Sequence, residues 1–374
     1  MTTWSPQQDS ALTAVSRWLK AGSGAPQVFR LFGYAGTGKS TLAREFAADC
    51  AGEVLFGAFT GKAAHVMHRK GCSGARTIHS LIYTVNDGDQ MQEEPSFIRN
   101  PDSPVKDAAL VIIDECSMVD EALGRDLLSF GAPILVLGDP AQLPPVRGAG
   151  FFTEARPDVM LTEVHRQAVE SPIITLATKV RMGERLQLGE FGEARVITRA
   201  DVTPEAVLGA DQVLVGLNKT RTAYNARIRT LKGISAALPT PGEKLVCLRN
   251  AKEKRLLNGS LWTVVDTKKQ TSRTKALGVT KLKIAPDDDG AQERHVDVTV
   301  KNEFWSGHEG ELEWQDKKGT EEFCFGYALT CHKAQGSQWD EVIVFDEAST
   351  FREDAQRWRY TAITRAAERL TIVI

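Results

Sequence analysis

Gly33-Tyr34-Ala35-Gly36-Thr37-Gly38-Lys39-Ser40 fits G-x-x-x-x-G-K-[ST] at every fixed position, and residues of these types at this spacing hold a polyphosphate. Gly33, Gly36 and Gly38 let the backbone curl with its N–H groups facing inward around phosphates. Lys39 brings an ammonium to the β- and γ-phosphates and Ser40 a hydroxyl ligand for Mg²⁺, with Thr37 and Thr41 completing the cradle. Two carboxylates, Asp114 and Glu115, and an amide, Gln142, stand farther along, each after an apolar run. Asp114 can hold the Mg²⁺ shell and Glu115 can polarise an attacking water. Gln142 is placed to sense the γ-phosphate or that water. Gln8, 25 residues before Gly33, can read an adenine edge through its amide; the alternative is a solvated glutamine in a first helical turn. ATP and Mg²⁺ are the cofactors this chemistry requires.

Such groups need strands that end beside one another. Residues 28–32 read as a strand feeding the loop and 40–49 as the helix leaving it, whose N-terminus adds partial positive charge at the phosphates. Residues 108–113 and 133–137 are continuous apolar runs, the mark of strands buried on both faces of a parallel sheet. Asp114, Glu115 and Gln142 therefore fall at the carboxyl ends of strands, where such sheets bind ligands. Ser5-Pro6 reads as a helix start. A strand over 54–59 leads into Thr60-Gly61-Lys62-Ala63-Ala64, and Thr77-Ile78-His79-Ser80-Leu81 follows a polar loop. Residues 84–106 are polar, carry three prolines and exceed the ~12–15 residues expected of a structureless loop, so they read as an insertion.

A second α/β set begins with a helix from Ser171-Pro172 to about 182, a strand over 213–216 and a helix over 218–231. From 239 to about 325 the pattern changes to short β-like runs, at 244–248, 260–265, 281–284 and 296–300, broken by turns such as Asn258-Gly259. This predicts a small barrel-like insertion. The α/β pattern resumes with a strand over 341–345, a helix over 355–365 and a strand over 370–374.

The 374 residues suit two or three units. A net charge of −2 excludes a globally basic nucleic-acid binder, leaving local patches, neutral hydrogen bonds and stacking. Six cysteines without a C-x-x-C point to reduced thiols in a cytoplasmic setting. No apolar stretch approaches the ~18 residues of a membrane span, and the first residues begin no signal peptide. His65, His68 and Cys72 suggest a metal, but no fourth ligand accompanies them.

Taken in order, Gln8, the glycine loop, Thr60–Ala64, Thr77–Leu81, Asp114-Glu115 and Gly138-Asp139-Pro140-Ala141-Gln142-Leu143 resemble the leading motifs of superfamily 1 DNA helicases. Leu161-Thr162-Glu163-Val164-His165-Arg166-Gln167, the stretch 327–337 with Gly336, and Tyr360-Thr361-Ala362-Ile363-Thr364-Arg365-Ala366 continue the resemblance. It is closest to the RecD-type branch, and within that to compact phage Dda-type members. The resemblance implies an α/β fold of two RecA-like cores with ATP between them and single-stranded DNA across their top, moving 5′→3′. Residues 1–83 with 107–155 would form the first core, 156–240 with 325–374 the second, 84–106 a pin with Phe97 at its tip, and 241–324 a small SH3-like barrel. Arg166 and Arg365 would reach the γ-phosphate from the second core. Thr60, Lys62, Thr77 and His79 would contact DNA from the first core, and Asn218, Thr330 and His332 from the second. The partners implied are single-stranded and forked duplex DNA, bound by a chain active as a monomer, in replication, repair or recombination. Two rival functions use the same loop: a P-loop kinase with a small acceptor, and an ATP-gated single-strand clamp that separates nothing.

Overall fold

The computed structural model describes residues 4–85, 97–145, 150–163, 171–251, 253–287 and 294–374. Ser5 caps helix α1 (Pro6–Ala21) reciprocally with Gln8. Strands β1 (Val28–Gly33), β2 (Val54–Ala58) and β3 (Arg76–Thr77) follow, each leading into a helix: α2 (Lys39–Ala48), α3 (Gly61–Arg69) and α4 (Ile78–Ile82). An antiparallel pair, β4 (Tyr83–Val85) and β5 (Phe97–Arg99), comes next, then β6 (Leu110–Asp114), α5 (Glu121–Leu128), β7 (Ile134–Gly138) and β8 (Val159–Leu161). The sheet order is β3-β2-β6-β7-β1-β8, parallel throughout.

Alternation along β6 shows why continuous apolar runs suit this sheet. Leu110 and Ile112 pack with α1, α2 and α3 on one face; Val111 and Ile113 pack with α4 and α5 on the other.

The second sheet starts with β9 (Gly189–Phe191), β10 (Ala194–Ile197) and β11 (Gln212–Val215). After helix Asn218–Leu231 come the insertion strands β12 (Lys244–Cys247), β13 (Leu261–Thr267), β14 (Val279–Pro286), β15 (Val296–Lys301) and β16 (Phe323–Phe325). Strands β17 (Ala328–Thr330), β18 (Trp339–Phe345) and β19 (Ala366–Val373) complete the chain. The order β17-β11-β18-β19-β10-β9 is parallel except at the β9 edge. Both sheets have the parallel, helix-flanked form of a RecA-like core.

The insertion is an antiparallel sheet, β15-β14-β13-β12-β16, around a core that includes Trp262, Leu282, Val298, Phe304 and Phe323. Its far edges approach each other where Glu321 N donates to Thr299 O and Thr299 N to the Glu321 carboxylate, both at 2.8 Å.

Strands β9 and β10 have no counterpart in the sequence reading, being short, partly exposed and broken by glycine. The stretch 84–106 also holds more order than a polar loop, since Tyr83, Thr84 and Val85 pair with Arg99, Ile98 and Phe97.

Candidate active site

The carboxyl ends of β1, β6 and β7 bring Lys39, Ser40, Asp114, Glu115 and Gln142 to one side of the first sheet. Arg365, Gly336, Ser337 and Thr364 of the second core face them across a cleft of about 540 Å³. Gly36 and Gly38 take φ of 79° and 83°, left-handed values that glycine alone adopts without cost. At Gly336 a Cβ would lie 2.8 Å from that of Ala63, so glycine lets the second core approach the start of α3.

Lys39 Nζ donates to the carbonyls of Gly33 at 2.6 Å and Tyr34 at 3.0 Å. A phosphate entering the loop takes the ammonium from these carbonyls. Ser40 Oγ donates to Asp114 Oδ2 at 3.0 Å, and Asp114 Oδ1 accepts from Glu115 N at 2.8 Å. A hydroxyl and a carboxylate side by side are the hard oxygen donors that magnesium prefers. Glu115 sits in the left-handed region at φ 53°, uncommon for a non-glycine residue and concentrated at functional sites. Burial pushes its carboxyl above the usual range; Asp114 and Asp139 add to this, while Arg365 and Lys39 oppose it.

Gln142 is 7% exposed, and its Oε1 has no hydrogen-bond partner among the described residues. An orphaned acceptor lining this cleft fits the water assigned to it; a γ-phosphate oxygen, itself an acceptor, would instead meet the amide nitrogen. Arg365 is 6% exposed. Its guanidinium donates to Thr361 O at 3.1 Å, Ser337 O at 3.2 Å and Thr364 Oγ1 at 3.2 Å. It is thus aimed by its own core while its charge faces Glu115.

Other placements refine the sequence reading. Gln8 is 2% exposed rather than solvated; its Oε1 accepts from Ser5 N and its Nε2 donates to Thr37 O at 3.1 Å. It braces the phosphate loop as well as the helix start. Thr60 and Thr77 accept from Ala63 N and Ser80 N as caps of α3 and α4, and Thr330 Oγ1 accepts from Lys333 N. Lys62 lines the nucleotide cleft. His79 packs against Phe59 and Tyr83, and His332 against Phe351. Asn218 is exposed at the start of its helix. Arg166 lies outside the described residues, as does the side chain of Phe97. Among the described residues no cluster of three metal-binding side chains occurs, and all six cysteines are free thiols.

Sequence reasoning missed the groups that join the two cores. Tyr360 Oη donates to Asp139 Oδ2 at 2.6 Å and accepts from Ala35 N of the phosphate loop at 2.8 Å. Thr361 Oγ1 accepts from Leu143 N at 2.9 Å, and Gln335 Nε2 donates to Leu143 O at 2.9 Å. Leu143 is itself buried among second-core side chains. The Arg181 guanidinium stacks 3.6 Å from the Tyr34 ring centroid. Tyr360, Thr361 and Gln335 lay within motifs already singled out, whereas nothing marked Arg181, one of many arginines in a last helical turn.

Two parallel-sheet cores around a phosphate loop, with an arginine of one facing the carboxylates of the other, define a two-core P-loop NTPase. Residues 5–201, more than half of the chain, match the family model described as an AAA domain, and the chain belongs to that family. Residues 325–373 match a UvrD-like helicase C-terminal domain. The chain is 32% identical to the ATP-dependent RecD2 DNA helicase of Deinococcus radiodurans, over 91% of this chain and 46% of that protein. It is 28% identical to the RecBCD enzyme subunit RecD of Mycobacterium tuberculosis, over 71% of this chain and 49% of that one. It thus spans about half the length of these curated relatives. The fold is similar to that of the Bacteroides Pif1 helicase determined with ADP-AlF3 and single-stranded DNA: TM-score 0.58, 16% identity, 100% of this chain and 92% of that one. The RecD-type resemblance read from the motifs agrees with these relatives.

Proposed function

We propose that the chain is an ATP-dependent motor that moves 5′→3′ on single-stranded DNA and unwinds duplex. The observation that carries this reading is the cleft in which Lys39, Ser40, Asp114, Glu115 and Gln142 of one core meet Arg365 of the other. A small-molecule kinase has no use for a second core whose tyrosine and leucine contacts are built into the phosphate loop and the Gln142 turn. The RecD-type relatives support DNA as the track.

In this reading Ser40 and Asp114 would hold Mg²⁺, which neutralises developing phosphate charge when bound. Glu115 accepts a proton from the attacking water, Gln142 Oε1 orients that water, and Arg365 offsets charge on the transferred phosphoryl group. Hydrolysis changes what Arg365 and Lys39 hold, and the Tyr360 and Leu143 contacts carry that change between cores. Thr60, Thr77, His79, Asn218, Thr330 and His332 lie at or just beyond carboxyl ends of parallel strands, where such sheets present ligand sites. They form the DNA track, with Lys62 shared between track and cleft. The β4–β5 pair is the base of a strand-separating pin, and the motor works as a monomer. Unwinding of forks with a single tail tests the polarity: a 5′ tail supports opening, and a 3′ tail alone leaves the duplex intact. Efficient opening from the 3′ tail overturns it.

Glu115 supplies a second test. A raised carboxyl pKa means that folding favours the neutral form. Its contribution to stability is full below the unfolded pKa and is lost as pH rises through the folded value. Ionisation of the side chain therefore costs stability, which a neutral amide at this position does not. Glu115→Gln removes the charge, raising the melting temperature of the nucleotide-free protein while turnover falls at least about a hundredfold. Unchanged turnover would remove Glu115 from the chemistry.

A further inference from the structure

Tyr83 and Arg99 face each other across the β4–β5 pair, and both reach the same carboxylate on α5. Tyr83 Oη donates to Asp126 Oδ2 at 2.6 Å. Arg99 Nε lies 4.0 Å from Asp126 Oδ1, and Arg99 Nη1 donates to Ser129 Oγ at 2.7 Å. The Tyr83 hydroxyl is held well above its ordinary pKa by burial and by Asp126, so it stays a donor at any working pH. On its other side the Tyr83 ring is 5.7 Å from the imidazole of His79, which in turn packs on Phe59.

Helix α5 is not a remote support. It begins at Glu121 with Asp120 as its cap, six residues after Glu115, across the turn Cys116–Met118. Leu123 and Leu127 bury its apolar face against Val111 and Ile113 of β6, the strand that delivers Asp114 and Glu115. Asp126 therefore stands on a helix that follows the catalytic carboxylates, and its partners stand on the strand pair that leaves the core.

We propose that Asp126, acting through Tyr83 and Arg99, is the positioning residue that fastens the β4–β5 pair to the ATPase core, so that force from the motor reaches the duplex through this pair. The inference rests on the helicase reading above and adds the joint through which that activity is transmitted. A bond between a phenol and a carboxylate is charge-assisted and among the stronger hydrogen bonds. The β4–β5 pair forms a two-stranded sheet of its own, so it is not part of the hydrogen-bonded ladder of the core sheet.

The test uses the full chain with Asp126→Asn, Tyr83→Phe and both together. Asparagine keeps the shape at 126 but removes the charge that Arg99 and the phenol share; phenylalanine keeps the ring beside His79 and removes the donor. Each single variant retains DNA-stimulated ATPase and single-strand translocation within about twofold, while unwinding of a 5′-tailed fork falls about tenfold, a loss typical of a charged hydrogen bond. The double variant loses little more than the worse single one, because both break the same bond. Amide exchange gives a readout independent of unwinding: protection at residues 83–85 and 97–99 drops in Asp126→Asn while that of β6 is unchanged. The proposal is overturned if unwinding and exchange match wild type, or if ATPase and melting temperature fall in step with unwinding. If the wild-type chain itself fails to unwind while the exchange difference appears, the helicase reading fails and the fastening alone stands.

Discussion

Arg365→Ala lowers ATP turnover by about 10³–10⁵-fold, the range known for arginines that stabilise a transferring phosphoryl group, while ATP affinity changes by less than about tenfold. The asymmetry follows from where the charge is needed. Three oxygens of its own core orient the guanidinium, so little reorganisation is required when charge develops across the cleft, and preorganised charge favours the transition state over the bound ground state. A second signature separates this role from a packing role. Arg365 is the strongest influence holding the Glu115 carboxyl down against burial. Without it the carboxyl is pushed further above the usual range. The acid limb of the pH–turnover profile of Arg365→Ala therefore lies at higher pH than that of wild type. Equilibrium binding of a fluorescent ATP analogue beside steady-state turnover across the pH profile of both proteins measures both effects. Lost affinity with unchanged turnover would make Arg365 a binding residue only.

The parts legible in the sequence are those in which residue type alone dictates conformation. Gly36 and Gly38 of the loop take left-handed backbone, the apolar run before Asp114 demands two covered faces, and Ser5-Pro6 demands a helix start. Helix Asn218–Leu231 was read with both ends correct. What escaped is set by tertiary contact. Strand β10 is short and partly exposed, and it is a strand because Ala194–Ile197 pairs with Leu370–Val373 from the far end of the chain. Gln8 reads as a contact for an adenine edge or as a solvated residue; neither reading includes its burial beside the Thr37 carbonyl 29 residues away. The Arg181–Tyr34 stack joins two residues 147 positions apart, with no local pattern to announce it. Within the site, the gathering of Lys39, Ser40, Asp114, Glu115, Gln142 and Arg365 at one cleft followed from the motifs. The contacts between the cores did not, because a tyrosine bridging Asp139 and Ala35 looks in sequence like any buried tyrosine.

Lys39→Ala abolishes hydrolysis, with a loss on the order of 10²–10³-fold or more, as when one preorganised charge-stabilising donor is removed, and leaves the fold in place. The second half of this expectation rests on its surroundings. Lys39 is the first residue of α2, the buried face of that helix is Leu42, Ala43 and Phe46, and the ammonium donates to the loop carbonyls of Gly33 and Tyr34. Lys39 itself lines the cleft, so water can enter where its side chain was and replace the lost donor at small cost. Circular dichroism and the melting temperature should stay near wild type, and single-stranded DNA should still bind, because the residues proposed as its track stand on other strands. Lys39→Arg is the sharper comparison. It keeps the charge but replaces a compact ammonium by a planar fork, in a loop whose carbonyl pair closes on a single nitrogen. It should restore nucleotide binding more than turnover. A folded Lys39→Ala protein that hydrolyses ATP at the wild-type rate would remove the phosphate loop from the reaction, and with it the whole assignment of Asp114, Glu115, Gln142 and Arg365.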